Sequence, residues 1–243
     1  MQHFPFEVTE SGTGRPILLL HGGGGPFTVA ILASHLSETN HVLAPTHPGF
    51  NGTAPVDRIA KVRDLANAYA QMIADKDLRE VIVVGSSVGG WLAAELALTD
   101  AAYRLAGIVI INGLGVRVEG HPVMDISKMT PAEFAPYSFH DPSKLRLPPP
   151  TPESLVIARN NGAALSRLTA EADEDPARLA KIRTPTLIIW GASDRIVDTD
   201  YGRAYAKAIG EADFVLVPEA GHLPYMENAP AVFAALDSFL TAH

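Results

Sequence analysis

The chain has 243 residues, of which 47% are hydrophobic, 19% charged and 7% aromatic, a balance that excludes disordered and fibrous classes. Its 19 Lys and Arg against 27 Asp and Glu give a net charge of −8 with no dense basic run, so neither nucleic acid nor an anionic membrane is an expected partner. The absence of cysteine excludes disulfides, thiolate catalysis and zinc–thiolate sites.

The length suits one large α/β domain with an insertion better than two independent domains. The first ten residues show no basic patch followed by an apolar stretch, and no apolar run approaches the roughly 18 residues needed to span a bilayer. A soluble, cytoplasmic protein is expected. Short β-branched or leucine-rich runs at 17–20, 41–44, 81–84, 107–111, 186–190 and 214–217 are bounded by Gly or Pro, as buried strands of a largely parallel sheet are. Between the second and third, Ile59, Val62, Leu65, Tyr69, Met72 and Ile73 fall at helical spacing. Further helices are predicted over 88–98, 201–209 and 231–240. Strand–helix alternation argues for an α/β fold with right-handed crossovers. Residues 115–181 break the alternation: no convincing strand is present and Pro148, Pro149 and Pro150 cluster. A long structureless loop is improbable in a compact domain, so this stretch is read as a small helical cap on a core formed by 1–114 and 182–243.

Gly85-Ser86-Ser87-Val88-Gly89 lies between a predicted strand and a predicted helix, which reads as a nucleophile elbow whose strained turn needs small neighbours. His21-Gly22-Gly23-Gly24-Gly25-Pro26 follows the first buried strand, where bare backbone N–H groups can face a developing oxyanion. Neither dinucleotide nor P-loop spacing is present in it. Gly191-Ala192-Ser193-Asp194 and Gly221-His222 sit just past the carboxyl ends of two more strands, where open α/β sheets place their sites. The resulting order, Ser87, Asp194, His222, is that of one acyl-transfer triad and differs from both familiar protease orders.

With Pro48-Gly49-Phe50 after the second strand and G-H-L-P-Y-M-E at the histidine, these ordered motifs make the sequence resemble the α/β-hydrolase superfamily over nearly everything but the insertion. The resemblance implies an eight-stranded, mostly parallel sheet, a cap after the sixth strand, and serine hydrolysis without cofactor or metal. It implies Ser87 as nucleophile, His222 as general base then acid, Asp194 as the group orienting the imidazole, and the backbone N–H groups of Val88 and Gly23 as oxyanion donors, with Gly24 in reserve. Two departures, Thr46 where many members carry Asp and Ser86 where many carry His, bear on the subfamily.

Other readings of single residues stand beside these. Ser87 can serve merely as a helix cap, and Asp198 is the alternative acid if Asp194 only caps a turn. His21 is expected to brace its loop, His47, His121 and His140 to lie at the surface or line a pocket, and Trp91 to pack in the core. The expected substrate is a small to medium apolar acyl compound, cleaved at a carboxylic ester or related bond. A C–C bond hydrolase, lactonase, thioesterase, amidase or haloperoxidase would share the triad, and a ligand receptor retaining it is the alternative from another class. Phe27, Phe134 and Phe139 are the expected substrate contacts, with Met124, Met129, Tyr137 and Leu145 as further apolar surface or as the cap's own core. Lys128, Arg146 and Arg159 would either meet an acidic substrate or be solvated. Because the triad and oxyanion donors lie on the sheet's loops, the insertion is expected to supply walls rather than chemistry.

Overall fold

The computed structural model describes residues 6–126, 129, 131–145, 150–170 and 175–243. Lys128, Arg146, Pro148 and Pro149 lie outside the described residues. All six anticipated runs are strands of one sheet, and a seventh precedes them: β1 Val8–Ser11, β2 Arg15–Leu20, β3 Asn40–Pro45, β4 Val81–Ser86, β5 Leu105–Ile111, β6 Thr186–Gly191 and β7 Ala212–Val217. The strand order is β1-β3-β2-β4-β5-β6-β7, with only the β1–β3 pair antiparallel. The expected count of eight is thus corrected to seven among the described residues, and the insertion follows the fifth strand. β1 itself is a polar edge strand, V-T-E-S, without the apolar run that marks a buried one.

The helices are α1 Ala30–Leu36, α2 Val62–Asp75, α3 Val88–Leu96, α4 Pro131–Ser138, α5 Pro152–Leu168, α6 Thr199–Ile209, α7 Pro224–Glu227 and α8 Ala229–Ala242. Successive strand residues point to opposite faces, so two cores form. Leu18, Leu20, Val83, Ile110, Ile188 and Trp190 pack with α2, α3 and α6 on one face. Ile17, Leu19, Ile82, Val84, Ile111 and Ile189 pack with α1 and α8 on the other. This sandwiching holds β4 and its loop rigidly between two dry layers.

The described residues between β5 and β6 contribute no strand to this sheet. α5 is their main element, started by Thr151 and Ser154 in a reciprocal cap with Pro152 in the first turn. Its buried positions, Asn161, Ala164 and Leu168, are only a narrow stripe and include an amide, which is why its sequence reads weakly as a helix. No helix among the described residues is long and apolar enough to cross a membrane.

Candidate active site

At the end of β4 the chain turns sharply into α3, leaving Ser87 at φ 58 and ψ −121. This sparsely populated backbone costs on the order of 1–3 kcal/mol and persists because the flanking layers over-determine it. A Cβ on Gly85 would collide with the Gly89 carbonyl, and one on Gly89 with the Leu20 carbonyl, so both positions require glycine. Ser87 occupies the cap position of α3 but its side chain makes no capping bond, which removes the mere-cap reading.

Instead Ser87 Oγ lies 2.9 Å from His222 Nε2, and His222 Nδ1 lies 2.7 Å from Asp194 Oδ2. All three residues are buried. The Asp194 carboxylate accepts from the backbone N–H groups of Ile196 at 2.8 Å and Val197 at 3.2 Å through Oδ1, and from Asn112 Nδ2 at 2.6 Å through Oδ2. A carboxylate only accepts, so His222 carries its proton on Nδ1 and presents the lone pair of Nε2 to the Ser87 hydroxyl. The alternative acid, Asp198, is used elsewhere: it accepts from Tyr201 N at 2.8 Å, capping α6, and pairs with His121 Nδ1 at 2.8 Å on the surface.

The glycine loop after β2 is held by a buried pair of histidines. His21 Nε2 accepts from the His47 N–H at 3.0 Å, so His21 Nδ1 is the protonated nitrogen and donates to the Gly22 carbonyl at 2.7 Å. His47 Nε2 donates to the His21 carbonyl at 3.0 Å, leaving His47 Nδ1 to accept from the Tyr69 hydroxyl at 2.5 Å. Burial pushes the His21 imidazole down to about 4 and His47 well below its ordinary range, so both rings are neutral. His21 therefore braces its loop, as anticipated. His47, expected at the surface or on a pocket wall, is instead fully buried, because its ring is consumed by this network.

In a trans peptide the carbonyl and the following N–H point in opposite directions. Fixing the Gly22 carbonyl on His21 thus turns the Gly23 N–H the other way. The Gly22–Gly23 peptide runs beside the serine: a Cβ on Gly22 would stand 3.0 Å from Ser87 Cβ, whereas one on Gly23 would stand 2.6 Å from Leu165 Cδ2 of α5. Val88 opens α3, where the first backbone N–H groups have no partner within the helix and the dipole favours negative charge.

The aromatic residues expected to touch substrate are placed differently from one another. Phe139 is buried, and its Cα would stand 2.8 Å from a Cβ on Gly221, next to His222. Phe134 is half-buried on α4, and Phe27 is 64% exposed on the short turn after the glycine loop. An open depression of about 680 Å³ lies over α4, lined by Asp125, Met129, Glu133, Pro136, Tyr137 and Arg195, and includes no triad residue. Trp91 is core, as anticipated, with its indole N–H on Glu95.

The insertion does more than wall the site. The Ser138 carbonyl accepts from the His222 backbone N–H at 2.7 Å, and the Tyr137 carbonyl from that of Arg195 at 3.1 Å. Glu227 accepts from Gly221 N at 2.7 Å and from the insertion's His140 N and Asp141 N, both at 3.0 Å. Asn161 of α5 donates to the Gly24 carbonyl at 2.9 Å. Asn112 and Asn161 escape sequence reasoning because each is a lone polar residue outside any spaced motif, and Glu227, although it ends the G-H-L-P-Y-M-E segment, shows its role only through the insertion backbone it holds. For Asn112 the one available signal is its place at the carboxyl end of a buried strand. Ser86, the residue before Ser87, faces the Tyr225 hydroxyl at 3.0 Å. Among the described residues no three His, Cys, Asp or Glu side chains gather as a metal site.

Comparisons with known proteins agree with this architecture. The chain is 26% identical over 91% of its length to Lipase 3 of Moraxella sp. (strain TA144), covering 76% of that protein. It is 25% identical over 95% of its length to a 2-hydroxy-6-oxo-6-phenylhexa-2,4-dienoate hydrolase of Burkholderia cepacia, covering 89% of it. A solved structure of a thermophilic esterase from Thermogutta terrifontis aligns with TM-score 0.77 at 25% identity, over 98% of this chain and 93% of that one. The model of the alpha/beta hydrolase family matches residues 17–236, nearly the whole chain, and the protein belongs to that family.

Proposed function

We propose that the protein hydrolyses a carboxylic ester, or a related acyl bond, of a small to medium apolar substrate through an acyl-enzyme on Ser87. The observation that carries this reading is the continuous relay from Ser87 Oγ through His222 to Asp194, at 2.9 and 2.7 Å. Ser87 Oγ attacks the carbonyl carbon as its proton passes to His222 Nε2. The oxyanion is held by the N–H groups of Val88 and Gly23, and its collapse breaks the bond to the leaving alkoxide, which takes the proton from His222. Water then enters, gives its proton to His222 and attacks the acyl carbon. The carboxylic acid leaves as Ser87 recovers its hydrogen. Asp194 stays ionised throughout and stabilises the imidazolium.

A fluorophosphonate should label Ser87 stoichiometrically, located by peptide mapping. An adduct on Ser86, or no adduct on folded protein, rejects the assignment. The relative named as a dienoate hydrolase supports one second reading, cleavage of a C–C bond beside a carbonyl on the same triad. A panel of ester, thioester, lactone and amide substrates of graded acyl length, with a 6-oxo-dienoate added, separates the two by kcat/KM.

A further inference from the structure

We propose that Asn161, on helix α5 of the insertion, is a positioning residue for the oxyanion hole and acts through two hydrogen-bonded peptide units of the glycine loop. The proposal rests on the acyl-transfer reading above. Asn161 is 2% exposed and stands far along the chain from every motif residue. Its amide is used on both sides: Nδ2 donates to the Gly24 carbonyl at 2.9 Å, and Oδ1 accepts from the Asn51 N–H at 2.7 Å.

From Gly24 the geometry continues to the serine. The Gly24 carbonyl and the Gly25 N–H belong to one peptide plane and point in opposite directions, so holding the carbonyl aims the N–H. That Gly25 N–H donates to the Gly22 carbonyl at 3.1 Å. The Gly22 carbonyl in turn shares its peptide plane with the Gly23 N–H, the proposed oxyanion donor. Each bond polarises the next, so the chain from the Asn161 amide to Gly23 N–H both orients the donor and strengthens it. His21 grips the same Gly22 carbonyl from the core side at 2.7 Å, and Asn161 grips the loop from the insertion side.

The glycines of the loop fit this arrangement. A Cβ on Gly25, whose φ is +97, would stand 2.7 Å from Asn161 Nδ2. One on Gly23 would stand 2.6 Å from Leu165, one turn further along the same helix face. α5 is seated on bare backbone, close enough for an amide to reach a main-chain carbonyl. Asn51 sits at φ 51, so the same amide also ties the turn after β3 to the loop.

The test uses the intact protein with Asn161→Ala and Asn161→Asp, each normalised to active sites titrated with fluorophosphonate, and Ser166→Ala on the exposed side of α5 as control. Aspartate keeps an acceptor for Asn51 N–H but replaces the donor to Gly24 with a repelling oxygen, so it isolates the bond to the loop. Kinetics with a simple ester are paired with inhibition by an apolar trifluoromethyl ketone, whose adduct with Ser87 places an oxyanion in the hole. Both variants should lose kcat per titrated site by about 10–100-fold, less than or equal to outright loss of an oxyanion donor, with the ketone's inhibition constant rising by the same factor and KM nearly constant. The Asp variant should be at least as impaired as the Ala variant. If either folds poorly, titration exposes the missing fraction and the other carries the comparison. A per-site kcat and ketone affinity within twofold of the parent would overturn the role of Asn161. Failure of the unsubstituted protein to form any ketone or fluorophosphonate adduct would overturn the acyl-transfer reading itself, and the role with it.

Discussion

Asn112 donates from Nδ2 to Asp194 Oδ2 at 2.6 Å, sharing that oxygen with His222 Nδ1 at 2.7 Å. Its own Oδ1 is anchored by the Gly191 N–H at 3.2 Å, and its backbone sits at φ 46 at the end of β5. The amide therefore joins the ends of two neighbouring strands and fixes the carboxylate plane in which His222 finds its partner.

Asn112→Leu should lower kcat for a simple ester by about 10–100-fold, the worth of a hydrogen bond to a charged group, while KM changes little. Asn112→Asp should be more damaging near neutral pH, because two carboxylates at this distance cannot both ionise and one must hold a proton. Steady-state kinetics from pH 5 to 9 checks both, and an Asp variant as active as the parent would show that the amide does not position Asp194.

The two neighbouring acids should separate cleanly. Asp194→Asn is expected to reduce kcat by about 10⁴-fold, since the imidazole loses the group selecting its tautomer. Asp198→Ala loses a helix cap and a surface pair, so it should cost about 1 kcal/mol of stability and leave kcat nearly intact. Parallel kinetics and urea denaturation would expose a reversal of these roles.

Stability should fall in acid for a reason located at His21. Its folded value is about 4 against an ordinary 6.5, so between these pH values the unfolded chain binds the extra proton. The contribution is complete above about pH 6.5, is lost as pH falls toward 4, and amounts to roughly 3 kcal/mol if the full shift is realised. His47, shifted the same way by burial, adds to it. The denaturation midpoint should drop between pH 7 and pH 4.5, and His21→Asn should flatten that dependence while lowering stability at pH 7. An equally steep loss in the variant would place the acid sensitivity elsewhere.

Glu227→Ala removes one carboxylate from three N–H groups, those of Gly221, His140 and Asp141. About 1–3 kcal/mol should be lost, or roughly 2–12 °C in Tm for a chain of this size, with a several-fold fall in kcat because Gly221 precedes His222, the proposed general base. Calorimetry with active-site titration distinguishes the two effects, and an unchanged Tm would count against Glu227 as the clasp between the insertion and the histidine loop.

The family, six of the seven strands of the sheet and the three residues of the relay were legible in the chain alone. Each depends on short-range patterning: apolar runs of strand length, glycines two residues either side of Ser87, and a glycine before Asp194's turn and before His222. Such signals survive because the tight turn has no room for a side chain: a larger residue at Gly85 would meet the Gly89 carbonyl of the same turn, and one at Gly89 the Leu20 carbonyl of the adjoining strand β2. The polar edge strand β1 was missed, and helix α5 was foreseen only as part of a helical cap without its own bounds, because what stabilises them is a neighbouring strand in one case and the bare glycine loop in the other. Asn112, Asn161 and the insertion contact of Glu227 owe their meaning to tertiary contact: they join residues 79 to 137 positions apart, and sequence spacing carries no record of such pairs. The same holds for His47, a plain histidine before a Pro-Gly turn until folding stacks it 3.7 Å from His21 and removes it from water. Local backbone chemistry determined which residues form the relay, and burial and long-range hydrogen bonding decided what holds them in place.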